Sequence, residues 1–355
     1  MLCRYRFNNK YMLLSLLVIN VVYINYHVFV AQKTKGPTLD TIKANVESIK
    51  IENTKWLPEA PLSRYPGHGA KKSQTLKERL EKRIRHLRDE CKIVRNNKPL
   101  NFDKLGAFQY PWMYVNHEHK VVYCQIPKVG TSNWLKIFAV LESKMNKTSD
   151  LGSNKIHDVA LPMVSYLNRT ARDYAMKQYT KFLVVREPFD RALSAYRDKF
   201  IPKEGYGRPM FAKLGKALID RYRNDSKNPT RSEPFPSFPE YVKYLTDPKN
   251  SEVPTHYSEP RHWQPQTDLC YPCNINYDYI LRIENIEEES DFILRKVGAP
   301  SGVRYPDQKT KTSEEIKKDM MRVHYSQVPP ADVNALFHYY GLDYQLFGYD
   351  PPPQF

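Results

Sequence analysis

Two stretches of this chain share one plan: a short apolar run, an abrupt turn, then a segment with helical spacing. The first is KVVYCQI, residues 120–126, followed by PKVG and SNWLKIFAVLE. The second is KFLVVR, residues 181–186, followed by EPF and DRALSAYRDKF. Apolar, β-branched runs without polar alternation suit strands that are covered on both faces, as in parallel sheets. Strand, turn and helix, twice over, predicts an α/β fold: a parallel sheet flanked by helices, with ligands at the carboxyl ends of its strands.

The turns carry the chemistry. The first delivers Lys128, Val129, Gly130, Thr131 and Ser132 onto a helix starting near Asn133. Free N–H groups and the positive end of a helix dipole make such a start an anion site. Gly130 lets the main chain come close, the hydroxyls add donors, and Lys128 supplies a point charge. A Walker A loop, GxxxxGK[ST], places its lysine after the glycines; here it comes before them. In the second segment Arg186 closes a strand, Pro188 opens a helix and Ser194 follows about two turns on. An arginine fork and a hydroxyl near a helix start suit a second, terminal phosphate. Arg197 is expected to pair with Asp190, Asp198 or Glu187 on the same helix, and the same pairing is open for Arg191. Two anion loops on neighbouring strands point to a nucleotide phosphorylated at both its 5′ and 3′ positions.

The remainder bounds the compartment and the partners. Tyr11 to Ala31 is long enough for one membrane span and contains no Asp, Glu, Lys or Arg. Arg4, Arg6 and Lys10 precede it, which predicts a cytosolic tail at 1–10, a signal anchor at 11–31 and a luminal body. Residues 32–98 then form a stem that holds one basic amphipathic segment, TLKERLEKRIRHLRDECKIV, opened by a Thr75/Glu78 capping box. Packing of this segment on the catalytic domain, and a weak dimer contact through the stem, are both open. Asn146, Asn168 and Asn224 begin glycosylation sequons. Cys91, Cys124, Cys270 and Cys273 suit two disulfides in an oxidising compartment, and three pairings are open. Cys270-Tyr-Pro-Cys273 lacks a second half for a zinc site, so no metal is expected. The formal charge of +16 calls for acidic partners. No RNP motif, zinc finger or basic zipper accompanies it, which leaves an acidic polysaccharide or a membrane face rather than nucleic acid. Residues 202–265, rich in Pro, Tyr and charge, read as a long insertion over an active site. The basic side chains at 199–231 would suit a sulfated or uronic-acid chain.

At this point the chain resembles the Golgi carbohydrate sulfotransferases, in the branch of the chondroitin and dermatan 4-O-sulfotransferases and the glucuronyl 3-O-sulfotransferase. The resemblance spans about residues 91–350 and rests on several stretches in order. These are YCQIPKVGTSNW, NKIH (154–157), KFLVVREPFDRALSAYRDKF, HWQPQTDLCYPCNINYDYI (262–280) and LDYQLFGY. It implies a luminal sulfotransferase domain at 99–355, PAPS (3′-phosphoadenosine 5′-phosphosulfate) as donor, and a glycosaminoglycan or N-/O-glycan as acceptor. By resemblance, Lys128 to Asn133 hold the 5′-phosphosulfate, and Arg186 and Ser194 the 3′-phosphate. Two positions depart from the family. Thr131 stands where many members have cysteine, and Arg282-Ile-Glu-Asn285 replaces a Lys-aromatic-Glu-Thr sequence.

Sulfuryl transfer needs a cation at the leaving oxygen, for which Lys128 is the candidate, and a base at the acceptor hydroxyl. His157, in NKIH between the two loops, is the first choice; His262 is second and Glu259 third. His262 and Trp263 are the candidate acceptor contacts. Competing readings are weaker. A kinase would need Mg²⁺ carboxylates and an HRD or DFG pattern, a nucleotide-sugar glycosyltransferase a D-x-D, and none occurs. A non-catalytic glycan-binding protein would not need Lys128.

Overall fold

The computed structural model describes residues 75–95, 112–201, 209–223, 233–250, 260–306 and 314–352. These lie within one compact unit, Ala70–Phe355. The expected membrane span falls outside the described residues. Among those described, no helix is long and apolar enough to cross a membrane.

Both expected strand–turn–helix units form. Strand β1 (Met113–Asn116) is followed by β2 (Val121–Cys124) and helix α1 lies earlier, at Leu76–Val94. Helix α2 covers Thr131–Leu141, α3 Arg169–Gln178, β3 Thr180–Val185 and α4 Pro188–Lys199. Strand β4 is Tyr279–Arg282. The sheet order is β1-β2-β3-β4. β2, β3 and β4 run parallel, with Cys124 opposite Leu183 and Val185 opposite Arg282. β2 and β3 are almost wholly buried, as their unbroken apolar runs require. The sheet is mixed rather than all parallel, because β1 pairs antiparallel with β2 through a tight connection at 117–120. Because the three parallel strands end together, the segments after Cys124, Val185 and Arg282 meet at one edge.

The segment at 202–265, expected as a long insertion over an active site, is largely helical among its described residues. It contains α5 (Pro209–Tyr222) and α6 (Phe238–Thr246), which bury Phe211, Leu214, Leu218, Tyr241, Val242 and Leu245. Its apolar residues at helical spacing belong to the core; 202–208, 224–232 and 251–259 lie outside the described residues.

Helix α1 packs on the domain. Thr75 caps it with the full capping box, and a stripe of Leu80, Ile84, Leu87 and Cys91 is buried. Its Arg83 forks onto Glu289 of α8 (Ile286–Lys296), with both nitrogens 2.8 Å from the carboxylate oxygens, and also donates to the Ile280 carbonyl. Cys91 is bonded to Cys273, and Cys124 to Cys270, so the two cysteines of CYPC anchor different elements. The Glu289 side chain is fully buried. Arg83→Met therefore leaves a buried carboxylate without the Arg83 counter-charge, keeping the Arg282 main-chain N–H at 2.8 Å, and should cost about 3–5 kcal/mol in urea unfolding. Arg79→Met, at a more exposed pair with Glu288, should cost under about 1 kcal/mol.

Candidate active site

Beyond Cys124 the chain turns sharply into α2. Thr131 Oγ1 donates to the Ile126 carbonyl, closing the turn from inside. This gives the cysteine-to-threonine departure a local role. Gly130 is the N-cap residue, at φ 82°, with no side chain capping the helix and no acidic residue in its first turn. The helix thus presents its positive end without an internal anion. A Cβ on Gly130 would lie 2.0 Å from Tyr305 Oη, so glycine is needed for space as well as for backbone angle. Lys128 is also left-handed, at φ 75°, which costs a non-glycine residue about 1–2 kcal/mol. Arg186 Nη1 donates to the Lys128 carbonyl at 3.0 Å and holds that conformation.

The Lys128 side chain is mostly buried. Its Nζ lies 2.9 Å from Asp198 Oδ2, the same oxygen that Lys199 Nζ approaches at 3.1 Å. Burial pushes Lys128 down to about 8, with Lys199 and Arg186 adding to the fall and Asp198 opposing it. The two ammonium groups hold Asp198 well below the usual carboxylate range in spite of its burial.

In the second segment Pro188 begins α4 and Glu187 caps it, accepting from the Asp190 N–H at 2.6 Å. Burial pushes the Glu187 carboxyl up to about 7, although the Tyr344 hydroxyl donates to it. Arg186 forks onto Asp190 (2.8 and 2.7 Å) and, with its bond to Lys128, engages three of its five N–H groups. Ser194 lies half-buried on α4, two turns further on. Neither of the other two arginines pairs as the sequence suggested. Arg191 is completely buried and donates to three carbonyls: Pro127 at 3.0 Å, Gln264 at 2.7 Å and Arg261 at 3.0 Å. Arg197 reaches Met320 Sδ.

His157 sits in a 3₁₀ turn, Lys155–Asp158, and its Nε2 lies 3.0 Å from Ser132 Oγ. The base candidate and the first loop are therefore in contact. His262 is also near this cluster, its ring against Phe211 and its charge opposed by the cations at Lys199, Lys128 and Arg261. Burial, with those cations, pushes it down to about 2. It stays neutral at any ordinary pH and is a feeble base. Trp263 does not offer a face to a sugar: it is 2% exposed, packed among Phe200, Phe211, Tyr241 and Tyr244. Glu259 and Asn224 fall outside the described residues. Asn146 and Asn168 are exposed, and Asn168 caps α3 through Oδ1, which leaves its nitrogen for modification.

Sequence reasoning missed the supports behind the two loops. Gln266, fully buried at the start of α7 (Gln266–Cys270), accepts from the Arg186 N–H and donates to the Arg186 carbonyl, both at 2.9 Å. Asp343, also fully buried, accepts from the Gln266 and Thr267 main-chain N–H groups at 2.7 and 2.9 Å. Asp343 belongs to LDYQLFGY and Gln266 to HWQPQTDLCYPC, so those two distant motifs meet behind Arg186. Only their coincidence of buried polar residues in apolar runs hinted at such a role.

The sulfotransferase family profile matches residues 112–350, which spans both loops, the 3₁₀ turn of His157 and the Gln266–Asp343 support. The chain belongs to the sulfotransferase family. This sulfotransferase-family chain is 34% identical to carbohydrate sulfotransferase 8 of Mus musculus over 247 residues, 68% of the chain and 57% of the relative. It is 37% identical to carbohydrate sulfotransferase 14 of Danio rerio over 239 residues, 67% of the chain and 62% of the relative. Against carbohydrate sulfotransferase 11 of Rattus norvegicus the figure is 32% over 248 residues, 68% and 67% of the two lengths. The first two matches thus cover less than two thirds of those relatives. No solved structure matches the chain.

The clash at Gly130 gives a clean test. Gly130→Ala should lower the midpoint of thermal unfolding. Adding Tyr305→Phe, which removes the clashing oxygen, should restore part of the midpoint, leaving about 1–2 kcal/mol of backbone strain.

Proposed function

We propose that this protein transfers a sulfuryl group from PAPS to a glycan hydroxyl, the 4-OH of N-acetylgalactosamine in chondroitin being the acceptor of first choice. The observation that carries this reading is the uncapped, carboxylate-free start of α2, with Lys128 ahead of it and His157 in contact with Ser132. Lys128, Val129, Gly130, Thr131, Ser132 and Asn133 would hold the 5′-phosphosulfate. Arg186, with two N–H groups to spare, and Ser194 would hold the 3′-phosphate. PAPS supplies an activated sulfuryl group whose departure leaves negative charge on a phosphate oxygen. Lys128 neutralises that charge, as a preorganised cation does in phosphoryl transfer. His157 takes the proton of the acceptor hydroxyl, with the Ser132 hydroxyl orienting its ring.

The same reading places the protein in the Golgi membrane as a single-pass type II protein, anchored at 11–31 with its catalytic domain in the lumen. Two disulfides among the described residues suit that oxidising space. The basic balance of the chain suits an acidic glycan acceptor.

The test incubates the purified full chain with radiolabelled PAPS and four acceptors: unsulfated chondroitin, desulfated dermatan, terminal N-acetylgalactosamine and glucuronyl oligosaccharides. Label should pass to at least one, with chondroitin favoured. Glycan binding without transfer to any acceptor would overturn the enzyme reading in favour of a binding protein. Lys128→Ala should lower turnover about 10²–10³-fold. His157→Ala should lower it about 10²–10⁴-fold, while His262→Ala keeps most of it; the reverse order would contradict the base assignment.

A further inference from the structure

We propose that Asp198 is a positioning residue of this site, holding the Lys128 ammonium in place through one carboxylate oxygen that it shares with Lys199. The inference rests on the sulfuryl-transfer reading above and deepens it. A lysine side chain carries about 2 kcal/mol of rotamer entropy and has no intrinsic reason to stay in one place. Here Lys128 projects from a turn, whereas Asp198 and Lys199 sit in the last turn of α4; Lys128 Nζ and Lys199 Nζ lie 2.9 and 3.1 Å from Asp198 Oδ2. All three side chains are largely buried. The Lys199 ammonium also lies 4.9 Å from the centroid of the Phe211 ring, so the second cation is seated independently.

The electrostatics follow the geometry. Among the described residues, one Asp198 oxygen receives both ammonium groups. Among the described residues, the charged and titratable groups acting on Lys128 include Asp198 and Lys199 from α4, Arg186 from the end of β3, and His262 from the turn at Pro260–His262. His262 is neutral, Arg186 and Lys199 disfavour the Lys128 charge, and Asp198 opposes them. A buried lysine held at about 8 is charged below that pH and loses its charge as pH rises through it. Removing the Asp198 charge must lower that point further, so the protonated range retreats toward acid pH. Removing the Lys199 charge must raise it.

The experiment measures two things on the full chain between about pH 6 and 10, a range that brackets the lysine titration. One is labelling of Lys128 by acetic anhydride, read by peptide mass spectrometry; the other is the rate of sulfuryl transfer. In Asp198→Asn the labelling midpoint and the alkaline limb of the rate should both move down by about one unit or more. Asp198→Glu should return both toward wild type, and Lys199→Gln should move both up. If Asp198→Asn does not fold, the upward shift in Lys199→Gln still decides the matter. Coincident midpoints in wild type and Asp198→Asn, or no upward shift in Lys199→Gln, would overturn the proposal. Labelling needs no donor. Failure of sulfuryl transfer in every protein would therefore sink the functional reading while leaving the labelling result to stand or fall alone.

Discussion

Everything at the sheet edge depends on a guanidinium that water never touches. Arg191 carries a positive charge in the core, and burying such a charge is costly unless each of its donors is met. It is met by three carbonyls, Pro127, Gln264 and Arg261, rather than by a carboxylate. That choice joins three segments: the first loop, the helix of the second, and the strip that carries His262 and Trp263. A carboxylate would have neutralised the charge at one point. Carbonyls spread it over the main chain, where it fixes backbone positions.

A second layer continues the same logic. Asp343 holds the main-chain N–H groups of Gln266 and Thr267, and the Gln266 amide holds both backbone groups of Arg186. Arg186 in turn holds the left-handed Lys128 through its carbonyl. The strain at Lys128 is thus supported by a chain of buried hydrogen bonds that begins at the far C-terminal helix. The motifs HWQPQTDLCYPC and LDYQLFGY, remote from the loops in sequence, work here as supports. Tyr305 adds a steric wall on the other side, against Gly130.

Much of this was legible in the residues. The strands at 121–124 and 180–185 and the helices after them follow from unbroken apolar runs and from Pro188 at a helix start. The loop of Lys128 and Gly130 announced itself by residue type. Other features were not legible, for physical reasons. β1 (MYVN) and β4 (YILR) lack the longer apolar run KVVYCQI that marks β2, so no pattern separates them from loop. Trp263 and the aromatic residues of α5 and α6 look the same whether they face a sugar or one another, and burial is a property of the fold alone. The cysteine pairing depends on α1 docking beside CYPC, a contact between residues 182 apart in the chain. Asp198 and Asp343 are ordinary carboxylates in sequence; only the folded chain shows that one meets Lys128 and the other the backbone of Gln266.

The central claim is that two anion loops on adjacent strands hold one nucleotide by phosphates at both ends. Calorimetric titration with adenosine 3′,5′-bisphosphate and with adenosine 5′-monophosphate tests it directly, without any acceptor. The account predicts that the bisphosphate binds at least about tenfold more tightly, a difference of about 1.4 kcal/mol. It also predicts that Ser194→Ala reduces that advantage while the monophosphate affinity changes little. Equal affinities for the two nucleotides in the wild-type chain would contradict it.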